Sequence, residues 1–451
     1  MSLRGLDGGI AVADLIDDRP SQGIFRVNSA VFTDANLFNL EMKLIFEQTW
    51  NFIGFESDVA NPHDFFTSWI GRSPVLVTRG KNGTVRAFLN KCPHKGARVC
   101  HQEQGNARAF VCPYHAWTFE SSGKLLGIKE KAAGAYPDSF DAMDHGLELI
   151  ARVASYRGLI FGSLSDAVGS LEDHLGSMKF FIDLAMDQGE YGMEPIPGRS
   201  VYTFRANWKM QLDNGLDGYH LTTAHSSFVD IMTRRRLGQG NTSANSLDFA
   251  KNMGALQSAF AFSNGHCALV NELPQSERRP FIDMDEIRAR VPAERAQWVD
   301  LAYNTLVFPN MQLIQNTALA LRVIRPIAPD LTEMHYYCLG AIGESDGHRA
   351  LRLRAFEDFY NASGLATPDD SAVYELCQQG YQTVGDPWLQ GYMRGSDIVE
   401  QGASERAKAF GIDAVESATG MIKSGFETQL HAAYRQWATM MAAAPTTEMG
   451  E

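Results

Sequence analysis

The chain has 451 residues, 45% of them hydrophobic and 21% charged, enough to bury more than one core. Its formal net charge of −13, with no extended basic patch interleaved with aromatics, argues against nucleic acid or an anionic membrane as a partner. Six cysteines in so long a chain suggest a reducing compartment, the cytoplasm, over a disulfide framework, and no apolar run approaches the ~20 residues of a membrane-spanning helix.

In chain order, a polar N-terminal arm leads to an expected helix over 35–49, where Leu37, Leu40, Met42, Ile45 and Phe46 form an apolar stripe. Residues 74–80 and 84–89 then read as a hairpin across the turn Lys81-Asn82-Gly83. Two short boxes follow, Cys92-Pro93-His94 and Cys112-Pro113-Tyr114-His115, separated by seventeen residues. Two thiolates and two imidazoles are the ligand set of a Rieske [2Fe-2S] cluster, in which cysteines hold one iron and neutral histidines on the other raise the potential. Tetrahedral zinc takes the same four residues, but zinc fingers usually group them as C-x2-C and H-x3-H, not as mixed pairs. Pro93, Gly96 and Pro113 mark both boxes as turns between apolar strands, so each is expected at a hairpin tip. In high-potential respiratory Rieske proteins a cysteine like Cys100 pairs with one in the second box; Tyr114 occupies that partner's place here, so Cys100 is expected as a small buried thiol. A turn at 121–124 follows the second box, and a small β domain is expected over 47–165.

A second constellation runs from Asp213-Asn214-Gly215-Leu216-Asp217-Gly218-Tyr219-His220 to His225. Oxygen-activating non-haem iron enzymes use two histidines and one carboxylate on one face of the metal, and His220 and His225 would supply the imidazoles. Five steps along an ideal α-helix place them about 140° apart, too far to share an ion easily, so a π-bulge or a break near Gly218 is expected. Asp217, three residues before His220, projects to the same side and could hold its imidazole N–H. A lone H-x4-H more often belongs to a polar amphipathic helix, but the upstream boxes reverse those odds.

Together the boxes and the D-x2-H-x4-H segment resemble the large (α) subunit of Rieske ring-hydroxylating oxygenases, over nearly the whole chain. The resemblance implies a third iron ligand in a downstream Asp-Asp pair. The segment from Phe359 to Thr367-Pro368-Asp369-Asp370 is similar to it, which makes Asp370 the carboxylate ligand and leaves Asp369 as a helix N-cap. It also implies that Asp217 links this iron to the cluster of a neighbouring subunit through His115, in a trimer that is either α3 or capped by small β subunits as α3β3. The implied cofactors are the Rieske [2Fe-2S] cluster and a mononuclear Fe(II). Electrons are expected from NADH through a separate reductase, with or without a ferredoxin, because no G-x-G-x-x-G in a strand-turn-helix setting occurs.

Within the family, Asp217-Gly218-Tyr219-His220, Ser155 to Leu164, Asn361 to Asp370 and Arg394-Gly395-Ser396 are most similar to the benzoate, toluate and anthranilate 1,2-dioxygenase branch. The implied activity is cis-dihydroxylation of an aromatic carboxylate such as a benzoate, with O2. The same motifs also serve a monooxygenase or demethylase, or a dioxygenase acting on a salicylate or an uncharged polycyclic aromatic. Lys95 stands where relatives commonly have Arg, Ala116 where Gly usually precedes the aromatic Trp117, and Leu216 where this branch often has Ala; Ser226-Ser227-Phe228-Val229-Asp230 also departs from the benzoate pattern. The first two bear on cluster potential or docking, the last two on the pocket. A carboxylated substrate calls for an Arg, a Lys or a group of backbone N–H donors. Arg322 and Arg325 fall in an expected strand, where a salt bridge or capping bond is their commoner use.

The run Arg234-Arg235-Arg236 reads as a solvated helix end, or as a docking point for an acidic electron donor or an anionic substrate. Strands expected near 200–205, 311–315, 320–325 and 335–342, among helical stretches, suggest an antiparallel sheet covered by helices. A last helix is expected from about Gly420, carrying Phe426, Leu430, Tyr434, Trp437 and Met441, with a loose tail from Pro445. The fold class is therefore α+β. An arm and helix over 1–46 are expected to pack on the catalytic domain, a β-rich Rieske domain to span 47–165, and a helix-grip, START-like catalytic domain to span 166–451.

Overall fold

The computed structural model describes residues 12–132, 135–238, 256–272, 279–421 and 425–443; the expected loose tail from Pro445 and most of the N-terminal arm lie outside them. The chain divides into two compact units, Phe46–Leu171 and a larger one joining Met1–Ile45 to Glu172–Glu451.

Among its described residues the smaller unit holds three antiparallel sheets. Its four-stranded sheet runs Val85–Leu89, Ser73–Arg79, Asp64–Ile70, Gln104–Asn106. The central run Val75-Leu76-Val77 is apolar throughout because both of its faces are buried. Leu76 packs with Phe65, Phe88 and Phe119, whereas Val75 and Val77 pack with Ile53, Phe66 and Ile70. The expected hairpin forms, with Val77 opposite Ala87. The second cysteine box is the tip of a hairpin between Ala109–Val111 and Thr118–Glu120. The first is not: its flanking strands, Val85–Leu89 and Gln104–Asn106, sit at opposite edges of the sheet. A side chain replaces the missing ladder there. Asn90 donates through Nδ2 to the Cys100 carbonyl at 2.7 Å and accepts from the Val99 and Cys100 amides at 3.0 and 2.9 Å. Cys100 is a buried free thiol.

The larger unit is built on a ten-stranded antiparallel sheet. Met193–Pro195 and Ser200–Phe204 pair with different halves of Leu331–Ala341. Beyond it the order is Leu319–Ala328, Met311–Gln315, Ala302–Val307, Cys267–Asn271, Gln257–Ala261, Glu416–Gly420, Val399–Gln401. The last helix starts at Leu430, not near Gly420, because residues 416–420 are drawn into the sheet, with Ala418 opposite Ala259. Phe426 precedes the helix, while Leu430, Tyr434, Trp437 and Met441 form its buried stripe. The first long helix, Ala35–Glu41, continues as a π-helical turn through Met42–Phe46 and stops short of Thr49. Among the described residues no helix is long and apolar enough to cross a membrane.

Three distant segments meet at one buried carboxylate. Glu41 accepts from Trp208 Nε1 at 2.8 Å, Lys209 Nζ at 2.5 Å and Trp437 Nε1 at 2.7 Å. Burial pulls Lys209 below its ordinary pKa, but Glu41 faces it, so the pair can be charged and satisfied. This ties the base of the Trp208–Asn214 helix, which leads into the histidine segment, to both ends of the unit.

Candidate functional site

The two cysteine boxes are wired alike. Cys92 N donates to Ala97 O at 2.8 Å and Gly96 N to Cys92 O at 2.8 Å; Cys112 N donates to Trp117 O at 2.8 Å and Ala116 N to Cys112 O at 3.0 Å. Each loop closes through a left-handed residue, Gly96 at φ 75° and Ala116 at φ 57°. Glycine adopts that region without steric cost, whereas alanine there is strained. Both cysteines are buried, while His115 is exposed and His94 partly so. The two imidazole rings lie 4.5 Å apart, and His94 stacks on Trp117 at 4.9 Å with the planes 3° from parallel. Burial, then the adjacent Cys112 sulfur, pushes the Cys92 thiol up, a penalty that binding to iron as thiolate removes. Burial and the neighbouring His115 hold His94 below its ordinary pKa, hence neutral, and its Nδ1 is a buried atom without a hydrogen-bond partner. Sulfurs inside, imidazoles outward and an orphaned ring nitrogen fit a Rieske cluster.

In the larger unit the helix problem posed by His220 and His225 is solved by a break. The Trp208–Asn214 helix starts at Asn207, whose side chain accepts from Lys209 N, and ends at Gly215. A Cβ on Gly215 would stand 2.2 Å from Gln312 Nε2, so a larger residue would push that amide away from the Gln211 and Leu212 carbonyls it donates to. Residues 215–220 are irregular, a short helix covers Leu221–Ala224, and His225 lies between it and the helix Ser226–Gly238. Asp370 comes from the first turn of the helix Thr367–Tyr381. Asp369 also lies in that turn, and the residue at the cap is Ala366, so Asp369 is not the N-cap. Its Oδ2 instead lies 3.5 Å from His225 Nδ1.

The ligand atoms of His220, His225 and Asp370 all lie within 4.8 Å of one another. Asp370 Oδ1 is 3.1 Å from His225 Nε2 and 3.6 Å from His220 Nε2. Asp217 Oδ2 lies 2.9 Å from His220 Nδ1, on the far side of that ring. The sequence reading assigned no role to Asn214, yet its Nδ2 donates to Asp370 Oδ1 at 3.0 Å and lies 3.3 Å from His220 Nε2. Its position in the aspartate-rich box was the only signal available. Burial raises the Asp370 carboxyl, but the His225 bond together with the charges of His225, His220 and Arg322 leaves the acid below its ordinary value. Two imidazoles and a carboxylate converging in a buried site fit a non-haem Fe(II), with the remaining coordination positions open. Behind them, Asp213 accepts from the hydroxyls of Tyr392 at 2.8 Å and Tyr434 at 2.9 Å, and burial pushes it up to about 7.

The arginines separate. Arg325 pairs with Glu333 at 2.7 Å, and Arg235 with Asp358 at 2.8 Å, so the three-arginine run is partly engaged within the fold and not simply solvated. Arg322 is buried, its guanidinium 4.6 Å from the Tyr336 ring and 5.1 Å from the Tyr360 ring.

The sequence matches the family model described as the ring hydroxylating alpha subunit (catalytic domain) over residues 196–443, and that of the Rieske [2Fe-2S] domain over residues 49–153. It is 38% identical to the 2-halobenzoate 1,2-dioxygenase large subunit of Burkholderia cepacia, covering 95% of this chain and 92% of that protein. It is 37% identical to the toluate 1,2-dioxygenase subunit alpha of Pseudomonas putida, covering 88% of this chain and 87% of that one. In fold it is similar to naphthalene 1,2-dioxygenase from Rhodococcus sp., with a TM-score of 0.77 at 24% identity over 93% of this chain and 94% of that chain. On its motifs, its geometry and these likenesses, the chain belongs to the Rieske aromatic ring-hydroxylating dioxygenases, as a large subunit related to the benzoate-type enzymes that uses a [2Fe-2S] cluster and a mononuclear iron.

Proposed function

We propose that this large subunit cis-dihydroxylates an aromatic carboxylate such as a benzoate, that Cys92, His94, Cys112 and His115 hold its [2Fe-2S] cluster, and that His220, His225 and Asp370 hold its mononuclear iron. The observation that carries the reading is the convergence of three ligand atoms within 4.8 Å, bridged by the Asn214 amide. When bound, the two metal centres supply electrons and open coordination positions for oxygen beside the ring. The net reaction is arene plus O2, NADH and a proton, giving a cis-diol and NAD+.

The chain's own residues supply order. Asp217 accepts the His220 Nδ1 proton and so fixes the tautomer that turns Nε2 toward Asp370. Asn214 holds the Asp370 carboxylate by one oxygen and keeps its orientation. His115, exposed on its own unit, would meet Asp217 of the neighbouring subunit in an α3 or α3β3 assembly, and Asp217 in turn bonds His220, so the two metal sites are bridged by side chains. A separate NADH-dependent reductase feeds the cluster, and a small β subunit completes the assembly, in keeping with relatives that are named as large subunits.

The test is product mass under labelled oxygen, with NADH and a compatible reductase. Gain of both labelled atoms and two hydrogens on benzoate supports the reading; one labelled atom makes the protein a monooxygenase. In parallel, His220→Ala should lose one iron per chain and all hydroxylation while keeping the cluster's visible spectrum.

A further inference from the structure

Arg322 is 4% exposed, and among the described residues it has no ion pair and its Nε no hydrogen-bond partner. The groups that face it are tyrosines: Tyr202, Tyr336, Tyr360 and Tyr374. A buried guanidinium packed on ring faces and phenols, with no acid in ion-pair contact among the described residues, is held at a cost unless a further anion meets it.

Its surroundings place it beside the triad. Tyr336 and Gln312 stand directly opposite Arg322 on the two neighbouring strands, so the three side chains share one face of the sheet. The Tyr336 hydroxyl donates to Gln211 Oε1 at 3.2 Å and Gln312 Nε2 to Gln211 O at 3.0 Å. Gln211 belongs to the helix that ends in Asn214, whose amide holds Asp370. From the other side, Tyr374 follows Asp370 by one helical turn on the same face, is fully buried, and has a hydroxyl with no hydrogen-bond partner. Asp370 lies within electrostatic reach of this cation but, among the described residues, forms no ion pair with it.

We propose that Arg322, assisted by the Tyr374 hydroxyl, binds the carboxylate of the aromatic substrate and thereby sets which edge of the ring faces His220, His225 and Asp370. This rests on the aromatic-carboxylate reading above and names its specificity residue. A carboxylate there would accept charge-assisted hydrogen bonds from the guanidinium while its ring lies among the tyrosines. Arg325, already paired with Glu333, is excluded from the role.

The test compares benzoate with benzamide, its neutral isostere, on the intact iron-loaded enzyme, by calorimetric titration of the resting protein and by kcat/KM. Arg322→Gln is expected to weaken benzoate binding by about 30-fold or more while changing benzamide by less than about 3-fold. Arg322→Lys should recover part of the loss, and Tyr374→Phe should weaken benzoate by about 5-fold. Iron content and the cluster spectrum should stay at wild-type levels in all three. A folded, iron-loaded Arg322→Gln that binds benzoate within about 3-fold of wild type, or that loses benzamide equally, overturns the proposal. Should Arg322→Gln fail to fold, wild-type benzoate affinity in both Arg322→Lys and Tyr374→Phe overturns it instead. If wild type binds only uncharged arenes, the aromatic-carboxylate reading falls; if it binds benzoate regardless of Arg322, only the anchor falls.

Discussion

Ala116 shows how one residue departs from its surroundings. The first cluster loop closes on Gly96, while the second places alanine in the same left-handed region. Non-glycine residues there cost about 1–3 kcal/mol, offset in part by the smaller entropy alanine loses on folding. Ala116→Gly is therefore expected to stabilise the smaller unit by roughly 0.5–1 kcal/mol, read as a higher midpoint for loss of the cluster's visible absorbance on heating. Asn214 makes the opposite case, a residue whose value lies wholly in what it touches. Asn214→Ala removes the donor to Asp370, and the affinity for the mononuclear iron should fall by about 10–100-fold with the cluster unchanged, measured by metal analysis after dialysis. Neither role was readable from the chain alone. The departure at Ala116 was visible in the sequence, but its strain depends on φ, and the Asn214 amide meets Asp370 across 156 positions.

Among the elements, the long strands of the larger unit carry an acid-sensitive contact. Arg325 and Glu333 stand opposite each other in the ladder, and Glu333 also accepts from His335 Nε2 at 2.8 Å. The His335 bond, then the Arg325 pair, holds the Glu333 carboxyl at about 2, below its ordinary 4.5. A depressed carboxylate contributes stability above the unfolded value and loses it as pH falls toward the folded one, so the window lies between about 4.5 and 2. Discounted for partial exposure, the contribution is roughly 1–2 kcal/mol at neutral pH. Glu333→Gln should lower the urea midpoint at pH 7, with the gap narrowing at pH 3; a gap constant with pH would rule out the ionic origin. The break in the histidine segment was foreseen, because five residues cannot place two imidazoles on one face of a regular helix. The final helix was misjudged by ten positions, since residues 416–420 show no strand alternation strong enough to compete with helical periodicity until Gln257–Ala261 offers an open edge.

For the whole molecule, the decisive expectation is that electrons cross between subunits. A chain without its cluster, Cys92→Ser, and a chain without its mononuclear iron, His220→Ala, should each be inactive alone. If electrons cross between subunits, mixed trimers of the two should recover part of the activity, the cluster of one serving the iron of the other. Mixtures that stay inactive, although native mass spectrometry shows mixed trimers, would place the transfer within one chain.

The sequence by itself determined the class of chemistry: Cys92, His94, Cys112 and His115, proposed as cluster ligands, lie in two short boxes, and His220 and His225, proposed for the iron, in one local segment, so residue types and spacing are written along the chain. Residues 74–80 and 84–89 likewise announced a hairpin, which forms with Val77 opposite Ala87. Only the tertiary structure decided how distant groups meet around those sites. Asp370, already implied by the family resemblance, is seen to reach the histidines from 145 residues downstream of His225, Glu41 joins Trp208 to Trp437, and among the described residues Arg325 has an ion pair and Arg322 has none. The physical reason is that metal-ligand identity follows from side-chain chemistry, which sequence states outright. The pairing of a buried charge depends instead on which faces of helix and sheet are pressed together, and that is set by the packing of the whole unit.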